Sequence, residues 1–238
     1  VILYLKRTLQ EIQLSGDVQV ELIVANEEAL AENKRYIDVD LNRQIKTNKH
    51  LDKHEIHLAE QLESYLESST SILALHSSKS VPPPFAIAGD IQNNAELLTA
   101  LPYTNAVKDT GSGTIEAEYK SAVNVELGHQ QTNQVFYNGI IAVHTFLTHH
   151  SATNRPLTNI NHTDTTVYEI TEALPKSHGT PKTYYSNFDT VPEGETIAED
   201  DGVTHTANTA DVPILLSENG YQDQFGLLGC QTNTLTSP

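Results

Sequence analysis

The sequence predicts an α/β fold in which a mixed, mostly parallel sheet is flanked by helices and followed by a smaller β part. Two observations carry this prediction. Strand-like and helix-like segments alternate up to about residue 150, as they do in parallel sheets. Beyond that point the chain shows short strand-like runs and no strong helical period. With 238 residues the chain can form one large domain or two modest ones, and we predict two, over 1–150 and 151–238.

Residues 1–150 contain helical and strand-like segments with clear periods. Apolar residues recur every three or four positions in the former, and β-branched runs mark the latter. In the second helical segment, Ile56, Ala59, Leu62 and Leu66 share one face. A loop with a short helical piece is predicted over 25–43. The helical segments are 1–14, 53–66 and 134–148, and the strand-like segments are 18–24, 71–75 and 122–127.

The chain changes character after about residue 150. Residues 151–166 are polar and contain several Asn residues, so we predict a linker there. Strand-like runs over 165–174 and 212–217 follow, and turn signals such as Pro192-Glu193-Gly194 separate the short pieces. The region is therefore predicted to form a small, mostly β domain.

The composition excludes several classes of partner. The chain has 31 Asp and Glu residues against 14 Lys and Arg residues, a net charge of −17. Nucleic acids and anionic membranes attract clusters of Lys and Arg, so neither is expected as a partner. No apolar run reaches the roughly 18 residues of a membrane span. The single cysteine, Cys230, excludes a disulfide framework and a multi-cysteine zinc site. An acidic surface also suits a salty cytoplasm, and we expect a cytoplasmic protein.

The first candidate site is the segment 34–43, KRYIDVDLNR. It contains Arg35 and Arg43, two of the four arginines in the chain, together with Asn42. The guanidinium group binds carboxylates through two parallel hydrogen bonds, and Asn adds a neutral donor and acceptor. The segment therefore suits an anion-binding pocket. Taken on composition alone, its aspartates favour the alternative of a structural ion-pair loop.

Two strand-like segments end in side chains suited to metal or acid–base chemistry. His76 follows the segment 71–75, at the edge where α/β sheets place their sites, and a neutral imidazole can bind a metal. Glu126 lies near the end of 122–127, just before Gly128, where a partly desolvated carboxylate can act as a general base. Each also has a plainer interpretation, as a packed histidine and as an edge-strand glutamate that faces solvent.

Weaker signals come from a tyrosine and a histidine cluster. Tyr221 follows an apolar run, and its hydroxyl can contact a ligand or simply pack. His50, His54 and His57 have helical spacing, but charged neighbours such as Glu55 favour a solvated helix face. Their order lacks the H-E-x-x-H motif of metalloproteases.

Five segments, taken in order, give a resemblance to a known family. They are IVANEEALAENKRYIDVDLNR, LHSS followed by PPPFAI, VELGHQ, PEGETIAEDDG and SENGYQDQFGLLG. Together they resemble the succinylglutamate desuccinylase/aspartoacylase family of zinc carboxypeptidase-like hydrolases. The likeness runs along nearly the whole chain, and KRYIDVDLNR is its most specific part. The resemblance implies a zinc-carboxypeptidase-like sheet with a smaller C-terminal β domain.

The resemblance also implies one zinc ion, with His76 as its third ligand. The first two ligands of the family lie in an H-G-x-E motif just before a helix, and this sequence begins at Val1 inside what resembles that helix. We therefore expect two further ligands upstream of Val1; the sequence contains no methionine. The family usually has Asp-Leu before its third ligand, but Ala74-Leu75 stands here, so a carboxylate partner of the histidine is lost.

The remaining roles follow residue by residue from the resemblance. Glu126 matches the general base that activates water. Arg35 matches an arginine that binds a substrate carboxylate or polarises the scissile carbonyl. Asn42 and Arg43 match the pair that holds the acid group of the substrate. Tyr221 matches a tyrosine that contacts the substrate.

The resemblance implies a zinc-dependent hydrolase that cleaves the amide bond of a small, acidic N-acyl amino acid. A further substrate arginine expected before the Glu126 strand is not evident, since only Lys108 and Lys120 stand nearby. Two alternatives stay open: a hydrolase of the same fold that acts on an ester or a peptide end, and a non-catalytic carboxylate-binding protein. The C-terminal β domain is expected to cover one side of the cleft. Whether the chain forms a homo-oligomer is left open.

Overall fold

The computed structural model describes residue 14 and the ranges 17–47, 51–80, 82–109, 111–130, 132–153 and 164–236. The predicted helix over 1–14 therefore lies almost entirely outside the described residues. The same is true of His50 and of most of the predicted linker over 151–166.

The described helices all precede residue 150. The Asn26 side chain caps the first of them by accepting a hydrogen bond of 3.0 Å from the Ala29 N–H. The predicted apolar face over 53–66 is confirmed, because all four of its apolar residues are buried. The helices are α1 (Glu27–Ala31), a 3₁₀ turn (Leu41–Arg43), α2 (His54–Ser68), α3 (Ala95–Ala100), α4 (Ile115–Glu118) and α5 (Asn133–His149).

The described strands form a seven-stranded sheet and a three-stranded sheet. They are β1 (Ile72–Ser78), β2 (Phe85–Ala88), β3 (Asn105–Lys108), β4 (Ala122–His129), β5 (Thr165–Pro175), β6 (Lys182–Thr183), β7 (Thr196–Glu199), β8 (Thr204–Thr206), β9 (Val212–Ile214) and β10 (Gln224–Leu235). The large sheet has the order β1-β4-β2-β3-β5-β10-β9, and the small sheet has the order β6-β7-β8.

The large sheet is mixed, as predicted. β1 pairs parallel to β4, and β2, β3 and β5 pair parallel to one another. β4 and β2 pair antiparallel, so these two groups run in opposite directions. β10 then joins β5 and β9 in antiparallel pairs. The carboxyl ends of β1 and β4 therefore meet at one edge, and those of β2 and β3 meet at the other.

β4 lies at the centre of the main core. Val123, Val125 and Leu127 belong to one buried cluster with Val135 and Ala142 of α5. β4 has β1 on one side and β2 on the other, so it is an interior strand of the sheet.

All regular elements in the described range 164–236 are strands, which confirms the predicted smaller C-terminal β part. It has its own apolar cluster, which includes Leu174, Ile197 and Phe225. β5 and β10 nevertheless belong to the large sheet. The domain boundary at residue 150 stays a prediction.

The predicted strand over 18–24 is wrong. Its side chains alternate between exposed and half-buried, but no strand forms in the described range 17–47. Alternation alone does not make a strand, which needs a hydrogen-bonded neighbour. Among the described helices, none has both the length and the apolar character needed to cross a membrane.

Candidate active site

The candidate site begins with two neighbouring strand ends. His76 on β1 and Glu126 on β4 are register partners in a parallel pair, and strands in such a pair lie about 4.8 Å apart. Glu126 exposes only 8% of its surface. The interpretation of Glu126 as a solvent-facing edge residue is therefore excluded, and the two predicted residues are direct neighbours.

An irregularity in the β1–β4 pair follows directly after these two residues. The register passes from His76 opposite Glu126 to Ser78 opposite His129, so β4 carries one extra residue. Gly128 lies in this bulge with φ +103°, a conformation that residues with a Cβ rarely adopt. Bulges of this kind redirect the chain at the end of a strand.

The residues 32–47, here called the arginine loop, bring the arginines to the site. Arg35 donates from Nε and Nη2 to one oxygen of Asp40, at 3.1 and 2.7 Å. The other Asp40 oxygen accepts from the Asn42 N–H. The Asn42 side-chain oxygen accepts from the Ile115 N–H at 3.4 Å, and Arg43 donates to the Asn42 carbonyl at 2.6 Å. The Arg35 side chain remains 62% exposed, so it is accessible to a ligand.

The arginine loop is attached to α2 by Glu55. This carboxylate accepts hydrogen bonds from the backbone of residues 37–39 and exposes none of its surface. The prediction that Glu55 lies on a solvated face is therefore wrong. His57 does lie on such a face, where it is exposed and bonded to Asp52.

A second loop, residues 215–223 and here called the tyrosine loop, carries Tyr221. Lys176, which follows β5, donates from Nζ to the carbonyls of Glu218 and Tyr221, at 2.6 and 2.7 Å. A Cβ added at Gly220 would lie 3.7 Å from the backbone nitrogen of Ser80. The tyrosine loop therefore lies next to the chain that leaves β1.

Burial and charge set the protonation of the two strand-end residues. Burial and then the nearby charges of Arg35 and Arg43 lower the pKa of His76 to about 4, so its imidazole is neutral at neutral pH. Burial and then Glu116 raise the pKa of Glu126 to about 7, against the opposing charge of Arg35. Glu126 therefore exchanges its proton readily near neutral pH.

Tyr221 is in the same electrostatic environment. Burial and then Glu126 raise its pKa to about 12, whereas Arg35 and Arg43 oppose the shift. Electrostatic effects of this kind require short separations. The structure thus brings together the predicted residues His76, Glu126, Arg35, Arg43 and Tyr221. The predicted Asn42 lies beside Arg43, with its side-chain oxygen bonded to α4.

Two lysines do not replace the expected further arginine. Lys108 ends β3, and Lys120 precedes β4. Both positions lie at the sheet edge opposite Glu126, because β3 and β4 run in opposite directions. Lys108 is paired with Glu169 at 2.6 Å.

The described residues do not complete a metal site. Within the described ranges no group of three or more His, Cys, Asp and Glu side chains could hold a metal ion. A zinc site needs at least three protein ligands. His76 has the neutral imidazole that a metal ligand requires, which would account for one ligand of the three.

Sequence reasoning missed three charged residues near the site: Glu55, Lys176 and Glu116. A signal for Glu55 was present, because positions 55, 59, 62 and 66 fall on one helix face. Lys176 bonds to backbone carbonyls more than 40 residues away, which leaves no pattern in the sequence.

Solved structures with this fold are similar along most of the chain. Murine aminoacylase 3 has a TM-score of 0.74 at 16% identity, covering 99% of this chain and 91% of its own. Succinylglutamate desuccinylase from Vibrio parahaemolyticus has a TM-score of 0.64 at 15% identity, covering 89% and 71%. Succinylglutamate desuccinylase/aspartoacylase from Rhodobacter sphaeroides has a TM-score of 0.67 at 15% identity, covering 88% and 74%.

These likenesses establish the class of fold. The chain has the fold of the aminoacylase and succinylglutamate desuccinylase structures, which confirms the resemblance predicted from the sequence. No family model and no curated protein sequence matches the chain.

Proposed function

We propose that this protein is an amidohydrolase that cleaves the amide bond of a small, acidic N-acyl amino acid. The observation that carries the proposal is the buried carboxylate of Glu126 beside His76, with the charge of Arg35 acting on both residues. The names of the similar structures, an aminoacylase and succinylglutamate desuccinylases, support the same substrate class.

Glu126 is the proposed general base. It takes a proton from the attacking water and passes it to the nitrogen of the leaving amine as the amide bond breaks. Its enclosed position at the end of β4 and its raised pKa suit both steps, because the same group must first accept and then donate the proton.

The arginine loop is proposed to bind and polarise the substrate. Arg35 uses Nε and Nη2 on Asp40, and within the described residues its Nη1 group has no partner. Nη1 can therefore donate to the scissile carbonyl. Arg43 and Asn42 bind the carboxylate of the amino acid, and Tyr221 contacts the substrate from the tyrosine loop.

We propose His76 as one ligand of a zinc ion, on the basis of its position and its neutral imidazole. The described residues do not supply the remaining ligands, so no reaction step is assigned to the metal. A small acidic substrate, a cytoplasmic location and the lack of nucleic-acid and membrane partners belong to the same proposal.

The test is hydrolysis of a panel of N-acyl amino acids, with simple esters and peptides as comparison substrates, in the presence of zinc. Glu126→Gln should lower kcat by roughly 10²–10⁴-fold, the usual contribution of a general base. Glu172→Gln is the matched control, because Glu172 is exposed on β5. A Glu126→Gln protein within threefold of wild type would show that the general-base role is wrong, and preference for esters or peptides would overturn the substrate class.

A further inference from the structure

A single buried carboxylate, that of Glu55, attaches the arginine loop to α2. Glu55 lies in the first turn of α2 and exposes 0% of its surface. A carboxylate in such a place needs a full set of hydrogen bonds, since burying an unpaired charge is costly. Glu55 has that set.

Each Glu55 oxygen accepts two hydrogen bonds. Oε1 accepts from the Ile37 N–H and from the Asn26 amide at 2.9 Å. Oε2 accepts from the Asp38 and Val39 N–H groups, at 3.0 and 3.1 Å. Three consecutive backbone groups of one loop thus point at one side chain.

The bonds lie in the middle of the proposed substrate-binding segment. Residues 37–39 begin two positions after Arg35, and they are followed by Asp40, which accepts hydrogen bonds from Arg35 and from the Asn42 N–H. A shift of residues 37–39 would therefore move both ends of the pocket. No other described side chain bonds to these three N–H groups.

The helix and the loop are tied in both directions. While Glu55 accepts from the loop, the Asp38 carboxylate accepts from the His54 N–H at 2.9 Å, at the first residue of α2. Burial acts to raise the pKa of Glu55, but the hydrogen bonds from residues 37–39 and Asn26 outweigh it and lower that pKa to about 2. The carboxylate therefore stays charged, as a four-fold acceptor must.

We infer that Glu55 is a positioning residue, which sets the geometry of the arginine loop for carboxylate binding without touching the substrate. The inference rests on the proposed role of the arginine loop as the substrate-carboxylate pocket. It does not rest on turnover, because binding of a carboxylate to the loop can be measured directly.

The experiment measures the affinity of the full chain for succinate by titration calorimetry. Glu55→Gln replaces one oxygen with an amide NH₂ and so leaves two of the four donors, at least one of them a loop N–H, without an acceptor. We expect the Kd for succinate to rise at least tenfold, and the amides of residues 37–39 to exchange hydrogen faster. The matched control is Asp211→Asn. Asp211 is also a buried carboxylate that accepts a backbone hydrogen bond, from the Asn208 N–H, but it lies far from Glu55 in the sequence. This substitution should leave the succinate Kd unchanged.

A second variant covers the case in which Glu55→Gln does not fold. Asn26→Ser removes one donor to Glu55 but keeps a side chain that can cap α1, and we expect a smaller rise of the Kd in the same direction. A Kd within twofold of wild type in the folded variants, or no succinate binding by wild type, would overturn the inference. Absence of turnover with intact succinate binding would instead overturn the proposed function alone.

Discussion

The arginine loop and the tyrosine loop both contribute to the candidate site, but they are held in different ways. Glu55 is fully buried, and its four hydrogen bonds are shielded from water. Lys176 is half-buried, and its ammonium bonds to two carbonyls of the tyrosine loop. Water competes more strongly for exposed hydrogen bonds than for buried ones, so we expect the free energy of local opening to be larger for the arginine loop.

This difference separates two tasks within the proposed reaction. A pocket that binds a charged group gains affinity when its donors are already in place. A loop that covers the substrate must open for entry and release, which favours weaker attachment. We therefore expect the arginine loop to be preformed and the tyrosine loop to move.

The largest expected effect comes from a glycine that supports the arginine loop. Gly113 has φ +81°, and an added Cβ would lie 2.7 Å from the carbonyl oxygen of Arg43. Gly113→Ala should therefore cost about 3 kcal/mol in unfolding free energy, from backbone strain and the forced shift of Arg43. Urea denaturation measures the loss, and the affinity for succinate should fall with it.

The tyrosine loop offers the matched substitution. A Cβ at Gly220 would come within 2.9 Å of the Ser217 Cβ, which side-chain rotation cannot move, so the loop backbone must shift slightly. Gly220 does not have the left-handed φ of Gly113, so Gly220→Ala should cost about 1–2 kcal/mol in unfolding free energy, less than Gly113→Ala, and leave succinate affinity unchanged. Equal costs at the two glycines would contradict the stated difference between the loops.

A comparison of stability across acid pH tests the Glu55 and Lys176 interactions separately. The pKa of Glu55 in the folded protein is lowered from 4.5 to about 2, so its stabilisation is complete above 4.5 and is lost as the pH falls towards 2. Lys176 is an amine that is already charged in this range. The stability gap between wild type and Glu55→Gln should narrow by roughly 2 kcal/mol from about pH 5 to about pH 3. The gap between wild type and a Lys176 variant should stay constant, and a constant gap for Glu55→Gln would show that its carboxylate is not the group that titrates.

The same two loops show what the sequence could and could not predict. His76 and Glu126 could be placed because each ends a recognisable apolar strand, and parallel strands bring their ends together. Glu55 was misjudged because a charged residue in a helix is usually solvated, although its position on the buried face was readable. The hydrogen bonds from Lys176 to the tyrosine loop could not be predicted, since their acceptors are backbone carbonyls whose positions depend on the completed fold. The strand prediction over 18–24 is wrong for a related reason. The side chains do alternate in burial, but a strand also needs a hydrogen-bonded neighbour, which the residues of this range do not specify.

The smallest expected effect concerns Lys176 itself. Its ammonium lies over the Phe225 ring, with Nζ 5.3 Å from the ring centroid. Lys176→Met keeps a similar stem and removes the ammonium. The loop retains the bond from the Ser217 N–H to the Phe225 carbonyl at 2.7 Å, and water can bond to the freed carbonyls. We therefore expect kcat/KM for an N-acyl amino acid to fall only about fivefold, which corresponds to about 1 kcal/mol of activation free energy. Succinate affinity should be unchanged, because the arginine loop is untouched.

A Lys176→Met protein that lost succinate binding as strongly as Glu55→Gln would contradict this prediction. It would show that the two loops form one cooperative unit, and not a preformed pocket with a separately moving tyrosine loop.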